Sequence, residues 1–342
     1  MNELFVAADY AVGADTEDCG FESSWRFGHN GPCLTLAKAL QHVVTPCTTI
    51  WVAPDASGVA SREESYPIHL SGDVQLYAAT TDDSGNVIAN DTNDTGLGPC
   101  FGGSAGVPAF VVDASGGGAS ITGFTIDGSC GAGGASDALD VADQLTLYNV
   151  RIANVARGIE VSAGGDVRAD SVTIDKIAGD GVSCSSTDPL HPAQFDAGHL
   201  VVAAAHGRDI AASDNCELWL HDNSTLGADP SVCESPRPDV YGIWAESSAT
   251  VNANLTTISC MASDGVHLAA GDGAGVPQVG LGGNIIQGSS FAGVAIEAGA
   301  AIDSGYPAAS SLVANTCDVV AADPSAFSAK TVSPVTIRAT CP

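Results

Sequence analysis

A four-residue motif returns through the second half of the chain, and its phasing leaves few folds open. It reads GIEV from Gly158, GVSC from Gly181, DIAA from Asp209, GIWA from Gly242, GVHL from Gly265 and GVAI from Gly293, so the starts lie 23, 28, 33, 23 and 28 residues apart. Ahead of most copies run three apolar marks: Leu145, Leu147, Ile152; Val167, Ala169, Ile174; Val251, Ala253, Ile258; Val279, Leu281, Ile286. The second mark follows the first by two residues and the third follows it by seven. The next motif glycine then comes seven residues later, or six once, from Ile152 to Gly158. An offset of two puts side chains on one face of a strand, and β-branched residues dominate these runs. Repeats of this length built from short strands stack as coils of a solenoid, whereas propeller blades need longer repeats and leucine-rich repeats more leucine.

The reading is therefore all-β: a parallel β-helix in which aliphatic side chains stack inside. A glycine at the head of nearly every motif suits a backbone turning with positive φ. Between Leu34 and Val44 the apolar residues Leu36, Ala37, Leu40, Val43 and Val44 share one helical face and Pro46 bars continuation, which predicts a short N-terminal capping helix. TTIWVAP, Thr48 to Pro54, reads as the first strand. Residues 1–60 are thus assigned to a cap continuous with the solenoid, 61–316 to the coils, with a polar loop near 80–108, and 317–342 to a last coil in which Cys317 and Cys341 could staple the turn shut.

Eleven cysteines are present and no two have the spacing of a structural zinc knuckle, so disulfides with one cysteine left over are expected. Persistent disulfides need an oxidising compartment, which places the protein extracellularly, in a periplasm or on a cell surface. The first residues lack the basic and long apolar regions of a signal sequence, so one is expected to have been removed, and no run suggests a membrane span. Forty acidic residues against eleven Lys+Arg give a net charge of -29. No basic patch exists to neutralise phosphates, which excludes nucleic acid, and the same field repels polyanionic glycans unless a cation intervenes.

The opening FVAADYAVGADTEDCG, the segment PCLTLAKALQHV and the TTIWVAP strand, followed by repeated GV and GI strands, resemble the N-terminal signature of pectate-lyase-like right-handed parallel β-helices of bacterial surfaces and secreted proteins. The resemblance spans nearly the whole chain as architecture. It implies a right-handed solenoid but no single activity, because that superfamily mixes polysaccharide lyases, glycoside hydrolases and adhesins. Its polygalacturonase-like hydrolases carry an Asn-Thr-Asp tripeptide, an Asp pair, a Gly-His-Gly and an Arg-Ile-Lys on successive coils. Here only fragments match: Ser263, Asp264 and Gly265; Ala205, His206 and Gly207; and Asp180 with Gly181. Elimination chemistry implies an arginine or lysine base with carboxylates holding Ca2+, and Arg151, Arg157, Arg168 and Arg208 are available outside any diagnostic motif. Asp91, Asn93, Thr95 and Gly96, in the polar stretch Asp82 to Gly96, partly match the start of a calcium loop without its closing Glu, which makes Asp91 and Asn93 the metal candidates.

Stacking the motifs locates a face. Two residues past each motif head the chain reads Glu160, Ser183, Ala211, Trp244, His267 and Ala295; one residue before it, Arg157, Asp180, Arg208, Tyr241, Asp264 and Ala292. Adjacent coils lie about 4.8 Å apart, so Arg208, Tyr241, Trp244, Asp264 and His267 are predicted to cluster. Aromatic faces beside polar groups suit sugar rings, which makes Tyr241, Trp244, Arg208 and His267 the ligand-binding candidates and a polysaccharide or cell-surface glycan the expected partner. The competing expectation is that a side loop covers Trp244 and makes it local core. Should the chain be catalytic, Asp264, His267, Arg208 and Asp180 are the candidates. The leading expectation is a non-catalytic glycan- or partner-binding module, with a lyase or hydrolase of divergent site as the alternative.

Overall fold

The computed structural model describes residues 2–8, 13–23, 31–60, 63–83, 86–89, 99–114, 117–130, 137–228, 233, 239–270, 275–303, 310–323, 337–338 and 340–341. They fall into two compact units, Met1–Ala156 and Arg157–Pro342, each built almost wholly of short parallel strands.

In the second unit the motif and the apolar marks ahead of it become three sheets. The motif strands Arg157–Val161, Val182–Ser186, Arg208–Asp214, Tyr241–Ala245, Val266–Leu268, Ala292–Ile296 and Cys317–Ala321 pair in that order in a motif sheet. Strands carrying the offset-of-two pair, Asp166–Asp170, Ala193–Gly198, Cys216–His221, Thr250–Asn254 and Gln278–Gly282, form a middle sheet. The third mark lies in Thr173–Ile177, Val201–Ala205, Thr225–Gly227, Thr257–Ser259 and Ile285–Gln287, which form an isoleucine sheet. Its register stacks Ile174, Val202, Leu226, Ile258 and Ile286, all 0% exposed. Each such side chain contributes about 1.5–3 kcal/mol by leaving water.

The motif glycines exist for a different reason from the one expected. None of Gly158, Gly181, Gly242, Gly265 or Gly293 has positive φ. A Cβ at Gly181 would instead strike Val202 Cγ1, one at Gly242 Ile258 Cγ2, and one at Gly265 Ile286 Cγ2. Glycine here makes room for the aliphatic stack. Left-handed backbone falls between the middle and isoleucine strands, at Ser171, His199 and Leu255, with φ of 57°, 50° and 53°, where one such residue turns the chain from one sheet into the next.

The first unit repeats the plan with other contents. Asn2–Ala7, Thr48–Ala53, Val74–Thr81, Ala119–Thr122 and Gln144–Tyr148 pair in parallel; so do Ile68–Leu70, Phe110–Val112 and Asp137–Val141, and Cys100–Phe101, Thr125–Asp127 and Arg151–Ala153. Its core is partly aromatic: Phe101 lies 5.1 Å from Phe110 and 5.5 Å from Phe124, ring centre to ring centre.

Three expectations change. The first strand is Asn2–Ala7, which pairs with Thr48–Ala53 along its whole length, so TTIWVAP is the second. The helix covers only Leu36–Leu40. Thr35 Oγ1 caps it by accepting from Lys38 N, and the Glu64 carboxylate accepts from the Leu36 and Ala37 amides, which satisfies the donors a helix start leaves open. The polar stretch from Asp82 begins as a hairpin, with Val87–Ala89 antiparallel to Val74–Thr81 and Asp82 accepting from Asn86; Asp91, Asn93, Thr95 and Gly96 lie outside the described residues.

Disulfides join Cys19 to Cys33 and Cys100 to Cys130 in the first unit, and Cys184 to Cys216, Cys233 to Cys260 and Cys317 to Cys341 in the second. Cys47 is the odd thiol and is exposed. Among the described residues no helix is long and apolar enough to cross a membrane.

Candidate functional site

The motif sheet of the second unit assembles most of the predicted cluster by register alone. Arg208 stands opposite Tyr241, and Trp244 opposite His267. The alternation of a strand turns Trp244 and His267 to the same outer face, and their rings stack at 4.3 Å with planes 2° apart. Tyr241 stands edge-on to both, 4.8 Å from Trp244 and 5.3 Å from His267. The Arg208 guanidinium carbon lies over the Trp244 ring, 5.9 Å from its centre. Trp244 is half-buried, held between these neighbours. Beside it opens a hollow of about 280 Å³ lined by Gly207, Arg208, Val240, Tyr241 and Trp244.

Each polar group of the cluster is tied in place. Asp180 accepts from Arg208 Nε at 3.0 Å and Nη2 at 2.6 Å, and from the Arg208 amide at 2.8 Å. That fork fixes the guanidinium plane, and hydrogen bonding to Asp180 pushes the Arg208 pKa up. Trp244 Nε1 donates to Glu246 Oε2 at 3.1 Å. His267 Nδ1 lies 2.8 Å from Asp264 Oδ2, and its Nε2 3.3 Å from Glu297 Oε1.

Asp264 departs from its expected place on the outer face. It is buried, 2% exposed, and its second oxygen accepts from the Ala292 amide at 3.0 Å. The residue precedes the strand Val266–Leu268, so the strand's alternation does not govern it. Its carboxylate folds beneath His267 and orients that ring.

Both carboxylates of the catalytic shortlist are engaged, part-buried Asp180 with Arg208 and buried Asp264 with His267. The other arginines weighed as bases also sit beside carboxylates, Arg151 by Asp127, Arg157 by Glu160 and Arg168 by Asp166. In the middle sheet, Asp196 stands between Arg168 and Trp219, and His221 lies between Asp196 at 2.9 Å and Asp222 at 2.6 Å. Burial works against a charge on His221, but the two carboxylates outweigh it and raise its pKa.

Among the described residues one group could bring three metal-ligating atoms together, Cys19, Cys33 and His42, and its two sulfurs are joined to each other. Sequence reasoning passed over Glu246 and Glu297, which no motif marks, and a pair of buried carboxyls, Asp209 and Asp239. The signal for Asp209 was visible: it replaces glycine at the head of DIAA.

No family model matches the chain, and no curated protein does. Among solved structures it is similar to pectate lyase Pel9A, at 12% identity and a TM-score of 0.39 over 98% of this chain and 80% of that one. It is similar to a catalytic-domain variant of a GH87 α-1,3-glucanase in complex with nigerose, at 10% identity and 0.42 over 98% and 67%, and to a rhamnogalacturonan lyase, at 12% and 0.31 over 94% and 74%. Of the same glucanase domain in another structure the chain spans 55%. The strands of this chain pair in parallel in three sheets, and that register makes the fold a parallel β-helix.

Proposed function

We propose that this is a secreted or cell-surface β-helix protein that binds uncharged glycan on the Trp244 face without cleaving it. The observation that carries the reading is the hollow floored by Tyr241 and Trp244, where an aromatic edge and face meet a fixed guanidinium. Sugar rings present apolar C–H faces and a hydroxyl rim, and such a corner offers a partner to each. The chain's acidity, with Glu246 and Glu297 at the cluster, disfavours polyuronates. The five disulfides support formation in an oxidising compartment. The non-catalytic part rests on the tied carboxylates Asp180 and Asp264, since acid–base cleavage needs convergent groups within reach of the scissile bond.

The test is affinity electrophoresis through gels cast with neutral and acidic polysaccharides, beside assays for reducing ends and unsaturated products with and without Ca2+. Wild type should be retarded by a neutral glycan and release no product, and Trp244→Ala should bind about tenfold more weakly or worse. Retardation unchanged by Trp244→Ala would end the assignment of this face. Product release abolished by Asp264→Asn would establish the alternative, a lyase or hydrolase.

A further inference from the structure

Asp209 stands where five other motif strands have glycine, at 158, 181, 242, 265 and 293; the last motif strand, Cys317–Ala321, has Asp318 there, which is only part-buried. At those glycines the space inside the coil is taken by an aliphatic side chain. Asp209 instead brings a carboxyl into this interior, where it is 0% exposed, and meets a second carboxyl, Asp239, also 0% exposed. Among the described residues neither forms an ion pair. Asp239 Oδ1 accepts from the Ala205 amide at 2.6 Å. Among the described residues no donor meets hydrogen-bond geometry at its Oδ2 or at either oxygen of Asp209, although the nearby Gly227 amide favours a negative Asp209 to a lesser degree than burial opposes it.

Two ionised carboxylates in such surroundings repel strongly and leave acceptors unsatisfied, whereas one proton between them removes a charge and supplies the missing donor. The groups facing the pair say which carboxyl keeps it. On the preceding motif strand Asp180 is committed to Arg208, the following strand carries Tyr241, and the coil beyond carries buried Asp264, committed to His267 and the Ala292 amide. The isoleucine sheet presents uncharged Leu226, Gly227 and Ser259, while His206, exposed at the end of Val201–Ala205, favours a negative Asp239. Asp239 thus holds the charge, with the Ala205 amide on one oxygen, and Asp209 the proton.

The pair adjoins the lining of the hollow along the chain. Asp209 follows Arg208, Asp239 precedes Val240 and Tyr241, and Val240 N donates to Gly207 O at 3.0 Å. We propose that Asp209 and Asp239 share a single proton that latches the strands Arg208–Asp214 and Tyr241–Ala245, so that its loss at rising pH loosens the floor of the hollow. Burial, and then the charge of Asp239, push Asp209 well above the usual carboxylate range, and burial likewise raises Asp239. The sign follows. Unfolded, both carboxyls titrate near 4; folded, the pair keeps its proton to higher pH. The folded state binds more protons across that window, so local stability is full below about pH 4 and is lost as pH rises. This holds whether or not the hollow takes a glycan.

Hydrogen exchange read by mass spectrometry tests it. Between pH 5 and 8, with times corrected for intrinsic exchange, peptides over 205–214 and 239–245 should open up to about tenfold more per pH unit, the slope for one proton, while a peptide over Ile285–Gln287 stays flat. In Asp209→Asn the amide donates permanently to Asp239, so the dependence should vanish. If Asp209→Asn does not fold, Asp239→Asn gives the same reading. A flat wild-type profile, or one unchanged in the foldable variant, overturns the proposal. So does millimolar Ca2+ restoring protection at pH 8 in wild type but not in the variant, which would make the pair a cation site.

Discussion

Parallel register builds an outward aromatic column in each unit, and the two columns differ in what their neighbours are. In the first unit Phe5, Trp51 and Tyr77 stand one above another on a single sheet, with the Trp51 and Tyr77 rings 5.1 Å apart. Phe5 and Trp51 pack against Ala7, Ala53, Ala79 and Val87, the last contributed by the antiparallel strand Val87–Ala89. In the second unit the residues beside Trp244 are Arg208, Tyr241, Glu246 and His267, and no added strand lies over them among the described residues. An outward aromatic in a β-helix becomes a small second core when alanines and a hairpin meet it. It becomes a candidate platform when its neighbours are charged and hydrogen-bonded to one another.

The comparison can be broken by measurement. Ile258→Ala, deep in the aliphatic stack, sets the scale, with an expected loss of about 2–5 kcal/mol in urea unfolding; a negligible loss would disprove the inward register. Trp51→Ala should cost about 2–3 kcal/mol, since a partly buried aromatic loses packing against Ala53 and Val87. Trp244→Ala should cost only about 1 kcal/mol, the worth of an aromatic pair, because its charged neighbours keep their own partners. Equal losses at Trp51 and Trp244 would erase the distinction and make Trp244 structural.

A smaller effect sharpens the picture of the middle sheet. His221 should titrate above the usual histidine value by NMR, because Asp222 and Asp196 outweigh its burial. Its contribution to stability is then full at low pH and lost as pH rises through the raised pKa, so His221→Gln should flatten that part of the stability profile. A midpoint at or below the ordinary value would show that the carboxylates do not hold the ring. Smallest in energy is the thiol count: alkylation without reduction should add one label, at Cys47.

The sequence disclosed the fold more fully than the site. The motif and the apolar marks became three sheets because the pair two residues apart shares one strand, the third mark lies in a second and the motif in a third, and Ile174, Ile258 and Ile286 are all fully buried as that phasing requires. Trp244 over His267 was legible for the same reason, as both sit two residues past a motif glycine. Asp264 was not, because it lies just before its strand, where alternation has no hold. The purpose of the glycines was hidden as well: φ is a local property, but the collision that demands glycine at 242 is with Ile258, on another sheet. Nor does any phase connect Asp209 to Asp239, which lies just before its strand, Tyr241–Ala245.

The disulfides have a consequence for damage. Four of the five span between 24 and 32 residues, about one circuit of the chain, and Cys19–Cys33 spans 14. A protease that cuts between Cys184 and Cys216, or between Cys233 and Cys260, severs the backbone there without separating the pieces, because the chain remains joined through the bridge. In surroundings rich in proteases the nicked protein can stay one molecule, with the rungs above and below the cut still held in register.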